Sequence, residues 1–414
     1  METVVDLFAG CGGMSLGLEM SGFKTIYVNE LHPDAMSTYL SNRKNSSLEN
    51  PINHSNDITK ISRSKEKRNK LANELKKKYG DIDLLAGGPP CQGFSGIGHR
   101  RSFSVDKQDI PTNHLYRDMA RMIEAIGPKV FIFENVRGLL NSKWTKNGIK
   151  GEIWEDVLKT FARMRTVQSG SELKYVIEWK LLYSKDYGVP QNRPRIILIG
   201  IREDVHKKNL RSIAKYGFFP EPTGPAPDLC EVLGDLVDSN WQRNYESNRY
   251  VKEAKLEIQK YFRRKNGVVA GVGQALTDQE YSRHKPEIIE KFQSMLRNDG
   301  KVPEKFKTKK FAQRLLPKRW GEAGPNITVA SLPDDFVHFS QPRILTVREW
   351  ARLQTFPDWY QFSGKRTTGG QRRAGNPDQD NWNRELPKYT QIGNAVPVLL
   401  AKAIGLHLQK IIIN

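Results

Sequence analysis

The fold is decided by residues 3–13, which read Thr3-Val4-Val5-Asp6-Leu7-Phe8-Ala9-Gly10-Cys11-Gly12-Gly13. Residues 3–8 form an apolar run of strand length, and the glycines after it predict a tight turn into a helix. Such a turn brings the backbone close to a nucleotide-type cofactor at the carboxyl end of a sheet. Glu30 follows the second apolar run, where an acid accepts hydrogen bonds from ribose hydroxyls. The stretch therefore predicts an α/β fold with a cofactor cleft.

Short apolar runs alternate with helical patterns through the first half of the chain. The predicted strands are residues 3–8, 24–29, 83–86, 130–133 and 195–201, and residues 114–126 show helical spacing. This alternation is typical of a parallel sheet with helices on both faces, and it predicts a Rossmann-like sheet. Residues 60–79, rich in Lys, Arg and Glu, predict a solvent-exposed helix.

The pattern changes after residue 201. From about residue 205 the alternation is lost, Lys and Arg are dense, and Gly and Pro clusters appear. Helical spacing returns at residues 346–355 and 396–413. The sequence therefore predicts three parts: a catalytic and cofactor-binding domain at 1–201, a smaller, mostly irregular or β domain at 202–340, and a return to the first domain at 341–414.

Composition narrows the class of partner. The 414 residues carry a formal net charge of +20, which favours a polyanion such as nucleic acid. No apolar run approaches the roughly 18 residues of a membrane span, and no secretory leader precedes the first strand, so we expect a cytoplasmic protein. The three cysteines include no C-x-x-C pair, which argues against a disulfide framework and a thiolate zinc site.

One of these cysteines lies in a segment rich in proline and glycine. Gly87-Gly88-Pro89-Pro90-Cys91-Gln92-Gly93-Phe94-Ser95 follows a predicted strand and begins a polar loop that extends to about Asn113. A cysteine there faces the cleft, and a thiolate is the strongest common side-chain nucleophile near neutral pH. Cys91 is therefore the predicted nucleophile, and a buried, inert cysteine is the alternative.

An acid and two arginines follow other predicted strands. Phe131-Ile132-Phe133-Glu134-Asn135-Val136 places Glu134 at the end of a buried strand, where desolvation keeps a carboxyl group protonated and able to donate. Gln191-Asn192-Arg193-Pro194-Arg195 places Arg193 and Arg195 at alternate positions, so both side chains point to one face. Together with the cysteine they form a predicted catalytic group, although a structural or phosphate-binding role for the arginines stays open.

These segments, in this order, resemble the cytosine-C5 DNA methyltransferase family, in its prokaryotic type II restriction-modification form. The matching segments are Asp6-Leu7-Phe8-Ala9-Gly10-Cys11-Gly12-Gly13, Pro89-Pro90-Cys91-Gln92, Glu134-Asn135-Val136, Gln191-Asn192-Arg193-Pro194-Arg195, Arg343-Ile344-Leu345-Thr346-Val347-Arg348-Glu349 with Phe356-Pro357-Asp358, and Gln391-Ile392-Gly393-Asn394-Ala395-Val396-Pro397. They are spread over nearly the whole chain except residues 202–325, so we regard the resemblance as specific.

The resemblance implies a covalent mechanism. The thiolate of Cys91 adds to C6 of a cytosine that has been flipped out of the duplex, C5 takes the methyl group, and loss of the C5 proton with elimination of the cysteine frees 5-methylcytosine. Glu134 donates to N3, while Arg193 and Arg195 hold O2 and orient the acid. One such donor is worth about 3 kcal/mol of transition-state stabilisation.

The resemblance also implies S-adenosylmethionine as the methyl donor, S-adenosylhomocysteine as the product, and no metal ion. The implied pocket combines the glycine turn with apolar and polar side chains from several segments. Its predicted members are Phe8, Gly10, Gly12, Glu30, Leu31, Asp57, Ile58, Pro90, Leu115, Asn394 and Val396. For Asp57, an ordinary turn or cap role is an equal alternative.

Duplex DNA is the implied partner, and residues 202–340 correspond in position to the target-recognition domain of the family. Residues 92–113 form the predicted lid over the flipped base. The predicted DNA contacts are Gln92, Ser95, Arg100, Gln313 and Thr328. For Gln313, an ordinary solvent-exposed glutamine is the stronger alternative.

Three other functions compete with this one. A tRNA cytosine-C5 methyltransferase shares most of the motifs, but the long recognition segment and the basic charge favour DNA. A catalytically silent DNA-binding homologue is disfavoured because the predicted catalytic residues are all present. A dinucleotide oxidoreductase lacks its G-x-G-x-x-G spacing here and gives Asn394 no role. We expect a monomer that acts as the modification half of a restriction-modification pair, with a separately encoded endonuclease.

Overall fold

The computed structural model describes residues 2–90, 106–168, 170–307, 313–330, 333–368 and 385–412, and within them seven strands form one sheet. The strands of this sheet are β1 (Thr3–Leu7), β2 (Lys24–Asn29), β3 (His54–Ser55), β4 (Leu84–Gly87), β5 (Val130–Val136), β8 (Tyr175–Tyr183) and β9 (Pro194–Arg202). Their order across the sheet is β3-β2-β1-β4-β5-β9-β8. Strand β1 lies near the middle and is buried along its whole length, as expected for a strand covered on both faces.

The sheet is mixed, not purely parallel as the sequence predicted. Strands β1 to β5 run parallel to one another, but β9 pairs antiparallel with both β5 and β8. Strand β8 was absent from the prediction because Glu178, Trp179 and Lys180 interrupt its apolar pattern. The reversal has a functional consequence: the beginning of β9, where Arg195 lies, sits at the same edge of the sheet as the carboxyl end of β5.

Helices cover both faces of the sheet. In the first part of the chain they are α1 (Gly13–Met20), α2 (Pro33–Ser41), α3 (Thr59–Ser62), α4 (Lys65–Tyr79), α5 (Leu115–Ile126) and α6 (Glu152–Arg163). Helix α5 packs its apolar stripe on one face and ends at Gly127, whose left-handed backbone (φ 62°) terminates the helix. The sequence predicted that the lysine-rich helix α4 is exposed. Its outer face is exposed to solvent, but Leu71, Ala72 and Leu75 are buried against the sheet domain.

Residues 203–337 contain more helix than the mostly irregular or β character predicted from the sequence. The helices are α7 (Glu203–Lys208), α8 (Leu210–Tyr216), α9 (Leu229–Leu233), α10 (Trp241–Asn244), α11 (Glu257–Arg263) and α12 (Pro286–Arg297). The described strands of this part are two residues long: β10 (Arg264–Lys265), β11 (Val268–Val269), β12 (Arg314–Leu315) and β13 (Phe336–Val337). Nearer the N-terminus, β6 (Thr166–Gln168) and β7 (Ser171–Leu173) form a separate hairpin.

The last helices are α13 (Val347–Leu353), α14 (Lys388–Asn394) and α15 (Val398–Ile412). Helix α13 begins with a capping box, in which Glu349 N–H donates to Thr346 Oγ1 and Thr346 N–H donates to Glu349 Oε2. One continuous segment, Lys388–Ile412, is long and apolar enough to cross a membrane by length and composition, but 67% of its most apolar window is buried inside the fold. In this fold α15 packs on α1 and the sheet, as a core helix does.

A buried network of charges joins α13 to the middle of the chain. Arg352 donates to Asp235 and to Asp358, at 2.5 Å and 2.6 Å, and all three side chains are almost completely buried. Arg263 donates to the same Asp235 at 2.6 Å. Because a buried charge without a counter-charge is strongly unfavourable, these contacts tie residues 229–263 to the C-terminal part of the chain.

Candidate active site

Several of the predicted site residues that the structure describes lie at one edge of the sheet. The carboxyl ends of β1, β2, β4 and β5 lie there, and the antiparallel β9 brings its first residues to the same edge. In open α/β sheets, this edge is where ligands bind.

Glu134 and Arg195 form the central contact. Arg195 Nε lies 2.6 Å from Glu134 Oε1, and their side chains are only 9% and 12% exposed. Burial raises the pKa of the Glu134 carboxyl above its usual value, and the nearby guanidinium groups of Arg195 and Arg193 oppose that rise. Burial favours the protonated form of Glu134 and the two arginines favour its charged form, a balance that suits a carboxyl group that donates a proton to a substrate.

Arg193 makes a different set of contacts. Its Nη1 donates to the carbonyl oxygen of Val329 at 2.7 Å, and its Nη2 donates to that of Gly393 at 2.5 Å. The side chain is 3% exposed. These bonds bind the start of β9 to two distant segments, and the positive charge of Arg193 also acts on Glu134, where it opposes the rise in the pKa of the carboxyl.

The segment that leads to Cys91 is held against Glu134. Asn135 Nδ2 donates to the carbonyl oxygen of Pro89 at 3.2 Å, and a Cβ atom on Gly88 would lie 2.8 Å from Glu134 Oε2. Sequence reasoning assigned no role to Asn135 or Gly88, although both lie inside quoted motifs. Cys91 follows Pro90 directly in the sequence; it lies outside the described residues, as do Gln92, Ser95 and Arg100.

The glycine turn after β1 forms the other half of the site. Phe8 has a left-handed backbone (φ 58°), which is unfavourable for a side-chain residue by about 1 kcal/mol or more and is found mainly at functional sites. Gly10 is also left-handed (φ 57°), and a Cβ there would meet no atom within 4 Å. Glu30 Oε2 accepts from Gly10 N–H, and its Oε1 accepts from His32 N–H, both at 2.8 Å. An acid fixed beside an open glycine fits the ribose end of S-adenosylmethionine.

The predicted pocket residues differ in their surroundings. Phe8, Ile58 and Leu115 contribute to one apolar cluster, and Val396 lies against the glycine turn, where its carbonyl oxygen would be 2.4 Å from a Cβ on Gly13. Exposed positions are occupied by Leu31, Pro90 and Asn394. Asp57 lies just before α3, and its Oδ1 accepts from Thr59 N–H and Oγ1–H in a local turn. Gly12 is a packing position, where a Cβ would lie 2.7 Å from Tyr360 Oη.

A buried acid lies beneath the glycine turn. Asp6 is fully buried in β1, accepts a hydrogen bond from Ser15 Oγ, and has no hydrogen-bond partner for its Oδ1 within the described part of the chain. Burial raises the pKa of Asp6 to about 7. Ser15 also accepts from Tyr39 at 2.6 Å, so this acid is linked to α1 and α2.

The two predicted DNA contacts that the structure describes lie in different surroundings. Thr328 Oγ1 donates to the carbonyl oxygen of Asn192, which brings the threonine segment beside the arginine motif. Gln313 is partly buried, and its Oε1 accepts from Lys291 on α12 at 2.6 Å.

Two glutamines bind these segments together. Gln191 Oε1 accepts from Val329 N–H at 2.9 Å, and Gln191 Nε2 donates to Gln354 Oε1 at 2.8 Å. Gln354 in turn donates to the carbonyl oxygen of Ile392 at 2.8 Å. Both glutamines are buried and were not predicted as site residues, because an amide in a sequence does not indicate which distant backbone it will meet.

The fold and this site define an α/β transferase with a cofactor cleft beside a carboxylate and an arginine. Among the described residues, no group of three or more His, Cys, Asp or Glu is arranged to hold a metal ion. The family model for C-5 cytosine-specific DNA methylase matches residues 2–410, so the chain belongs to the C-5 cytosine-specific DNA methylase family. The family predicted from the sequence is confirmed, and with it DNA cytosine-C5 methyl transfer, a reaction that uses S-adenosylmethionine.

Curated relatives match over nearly the whole chain. The chain is 31% identical over 413 residues to the type II methyltransferase M.DdeI of Desulfomicrobium norvegicum, covering 97% of this chain and 87% of that protein. It is 30% identical over 426 residues to M.XorII of Xanthomonas oryzae pv. oryzae, covering 98% and 84%. A solved DNA modification methyltransferase encoded within an Escherichia coli prophage shares the fold, with a TM-score of 0.64, 24% identity and full coverage of both chains.

Proposed function

We propose that the protein methylates C5 of a flipped cytosine in a specific duplex DNA sequence through a covalent bond between Cys91 and C6. The observation that carries this proposal is the contact of Arg195 with Glu134 beside Gly88 and Pro89, the residues that lead directly into Cys91. An acid next to the nucleophile's segment is what the addition step needs, because negative charge would otherwise build up on the ring.

Each step balances in protons and electrons. The sulfur of Cys91 forms a bond to C6 as N3 receives a proton from Glu134, which leaves C5 electron-rich. C5 then forms a bond to the methyl group as the methyl–sulfonium bond of the donor breaks. A base removes the C5 proton, the C6–S bond breaks so that the Cys91 thiolate leaves, and N3 returns its proton to Glu134 as 5-methylcytosine regains its aromatic ring.

The arginines divide the work. Arg195 contacts Glu134 and is positioned to hold the O2 atom of the base, whereas Arg193 fixes the start of β9 through Val329 and Gly393.

We propose that the cofactor binds at the same edge of the sheet, beside the glycine turn that follows β1. S-adenosylmethionine, when bound, supplies an electrophilic methyl group. Glu30 would accept from the ribose hydroxyls, Gly10 leaves room for the cofactor beside its backbone, and Phe8, Ile58 and Leu115 offer an apolar wall. Asp57 and the exposed Leu31, Pro90, Asn394 and neighbouring Val396 complete the proposed pocket.

Duplex DNA is recognised, in this proposal, by residues 202–340, and the net charge of +20 favours binding to its phosphates. Thr328 lies closest to the arginine motif, while Gln92, Ser95, Arg100 and Gln313 remain proposed contacts. One chain carries all of the proposed site residues, so a single chain suffices for one methyl transfer. The type II relatives support a modification role in a prokaryotic cytoplasm, beside a separately encoded endonuclease.

The test is transfer of labelled methyl from S-adenosylmethionine to duplex DNA and, in parallel, to tRNA, followed by bisulfite sequencing of the DNA. We expect label on DNA cytosines within one sequence, and Cys91→Ser should abolish transfer while leaving DNA binding intact. Label on tRNA alone would overturn the substrate, and turnover by Cys91→Ser would overturn the nucleophile.

A further inference from the structure

The segment that joins β5 to α6 carries positive charge without negative charge. Residues 137–151, called the basic loop below, contain four cations and no Asp or Glu. The cations are Arg137, Lys143, Lys146 and Lys150, and all four are exposed to solvent. None of them pairs with a carboxylate within the part of the chain that the structure describes. Their charges are therefore available to an anionic partner.

The basic loop lies at the catalytic edge of the sheet. Its first residue, Arg137, follows Val136, which is paired with Arg195 across the sheet. Directly after the loop, Ile153 of α6 lines a small cavity together with Pro90, which precedes the proposed nucleophile in the sequence. The loop is thus bordered at one end by the acid's strand and at the other by the segment that leads to the nucleophile.

The shape of the basic loop is fixed by hydrogen bonds and a ring stack. Glu152 Oε1 accepts from Trp144 N–H at 2.6 Å, and its Oε2 accepts from Ile149 N–H at 3.1 Å. The Trp144 ring stacks on His114 with centroids 4.8 Å apart, and its carbonyl oxygen accepts from Gln108 N–H at 3.2 Å. A surface that is already ordered loses less entropy when it binds a ligand.

The acids that contact the basic loop do not neutralise its lysines. Glu152 binds the two backbone N–H groups just described, and Asp106 Oδ1 accepts from the backbone N–H of Lys146 at 3.2 Å. These carboxylates hold the backbone in place, while the lysine side chains remain in solvent. The loop therefore combines a fixed backbone with unpaired cations.

We propose that the basic loop binds phosphates of the DNA that flanks the target cytosine. The inference rests on the proposed function and adds a DNA-binding surface outside residues 202–340. A duplex that delivers a cytosine to Glu134 brings one phosphate charge for about every 1.7 Å of its axis past the neighbouring surface. Unpaired lysines give up no ion pair when they bind phosphate, and they release counterions from the DNA. Such contacts help to offset the cost of extruding the base.

The salt dependence of DNA binding tests this contact. The triple variant Lys143→Gln, Lys146→Gln and Lys150→Gln is compared with the wild-type chain on a duplex that carries the methylated sequence. Each lost phosphate contact lowers the slope of log K against log salt concentration by about 0.9, so we expect the slope to fall by about 2 to 3. Between 50 and 200 mM salt, the wild-type chain should then lose up to about 40-fold more affinity than the variant. Arginine at the same three positions keeps the charge and should keep the slope.

Three lysines at the opposite edge of the sheet provide a matched control. Lys24 begins β2, and Lys77 and Lys78 lie at the end of α4; all three are exposed. Their replacement by glutamine removes the same net charge and should leave the slope at its wild-type value. An equal fall in both triple variants would assign the effect to net charge and overturn the proposal.

Phosphate ethylation locates the contacts on the DNA. Ethyl groups on two or three phosphates beside the target cytosine should weaken binding by the wild-type chain and have no effect on binding by the Lys143, Lys146 and Lys150 triple variant. The same interference pattern in both chains would contradict the proposal.

Methyl transfer by the wild-type chain separates this inference from the function on which it rests. If the wild-type chain methylates the duplex and the loop variant keeps the full salt slope, the inference is wrong and the proposed function stands. A wild-type chain that neither binds nor methylates duplex DNA overturns both.

Discussion

Arg195 Nε lies 2.6 Å from Glu134 Oε1, in a contact that joins the start of β9 to the end of its antiparallel neighbour β5. The pair holds the acid in place while burial raises the pKa of its carboxyl group. If Glu134 is the proton donor that we propose, the contact with Arg195 links the arrangement of the sheet to the rate of methyl transfer.

The proton on Glu134 should limit the rate at high pH. Because only the protonated carboxyl donates to N3, activity should fall as the pH rises through the raised pKa of Glu134. Glu134→Gln cannot titrate and should lower the single-turnover rate by about 10²- to 10⁴-fold while removing that alkaline decline. Glu155→Gln, on the exposed side of α6, should behave as wild type. An unchanged pH profile in Glu134→Gln would count against the role of the acid.

Gly88→Ala should slow catalysis without unfolding the protein. The added Cβ would lie 2.8 Å from Glu134 Oε2, so the carboxylate must shift, and the shift disturbs its contact with Arg195. We expect at least about a tenfold loss of rate, corresponding to about 1.4 kcal/mol, with little change in melting temperature. Gly234→Ala is the matched control because a Cβ there meets no atom within 4 Å. Equal rates for both variants would show that Glu134 tolerates displacement.

Arg352→Met should destabilise the fold strongly. It removes the positive charge that pairs with the buried carboxylates of Asp235 and Asp358, and loss of one partner from a buried ion pair costs about 3–5 kcal/mol of folding free energy. Lys159→Met breaks an exposed pair with Glu155 and should cost less than about 1 kcal/mol. Urea denaturation of the two variants measures both free energies, and similar losses would argue that the buried network contributes little.

Asp6→Asn should change how stability depends on pH. The folded pKa of Asp6 is raised to about 7 from an ordinary 3.8, so the folded state holds the proton more tightly than the unfolded state. The stabilisation is complete below about pH 4 and is lost as the pH rises to about 7, by up to about 4 kcal/mol. Asparagine does not titrate, so the variant should gain stability relative to wild type between pH 4 and pH 8. Denaturation curves that keep a constant difference would contradict this.

Glu30→Ala should weaken binding of S-adenosylhomocysteine. Loss of a hydrogen bond to a charged acceptor costs about 1.5–3 kcal/mol, which corresponds to about a 10- to 100-fold rise in the dissociation constant. Calorimetric titration measures it, with the exposed Glu49→Ala as control. Tight binding by Glu30→Ala would place the ribose elsewhere.

The sequence predicted the central strands well because their apolar runs are long and uninterrupted. It did not predict β8, in which three exposed residues break the pattern, or the direction of β9, because strand polarity depends on the connection and not on composition. In residues 202–340 the sequence did not predict short helices such as α9 and α11, because five to seven residues are too few to show helical spacing, although their apolar sides are buried.

Of the site, the sequence supplied the residue types and their order. It did not supply their division of labour: Arg193 and Arg195 are alike in sequence, yet one binds the backbones of Val329 and Gly393 and the other binds Glu134. The two bonds of Arg193 join residues more than a hundred positions apart, and no local pattern specifies them.

The hydrogen bonds accepted by Ile392 and Gly393 make the surroundings of the site depend on a late part of the chain. Their donors, Gln354 and Arg193, lie earlier in the chain than these acceptors. A chain shortened to end before residue 392 still contains the seven strands of the sheet and the pair of Glu134 and Arg195, but it lacks two of the bonds that fix the surroundings of that pair. We expect such shortened chains to leave DNA unmethylated even where their sheet is formed.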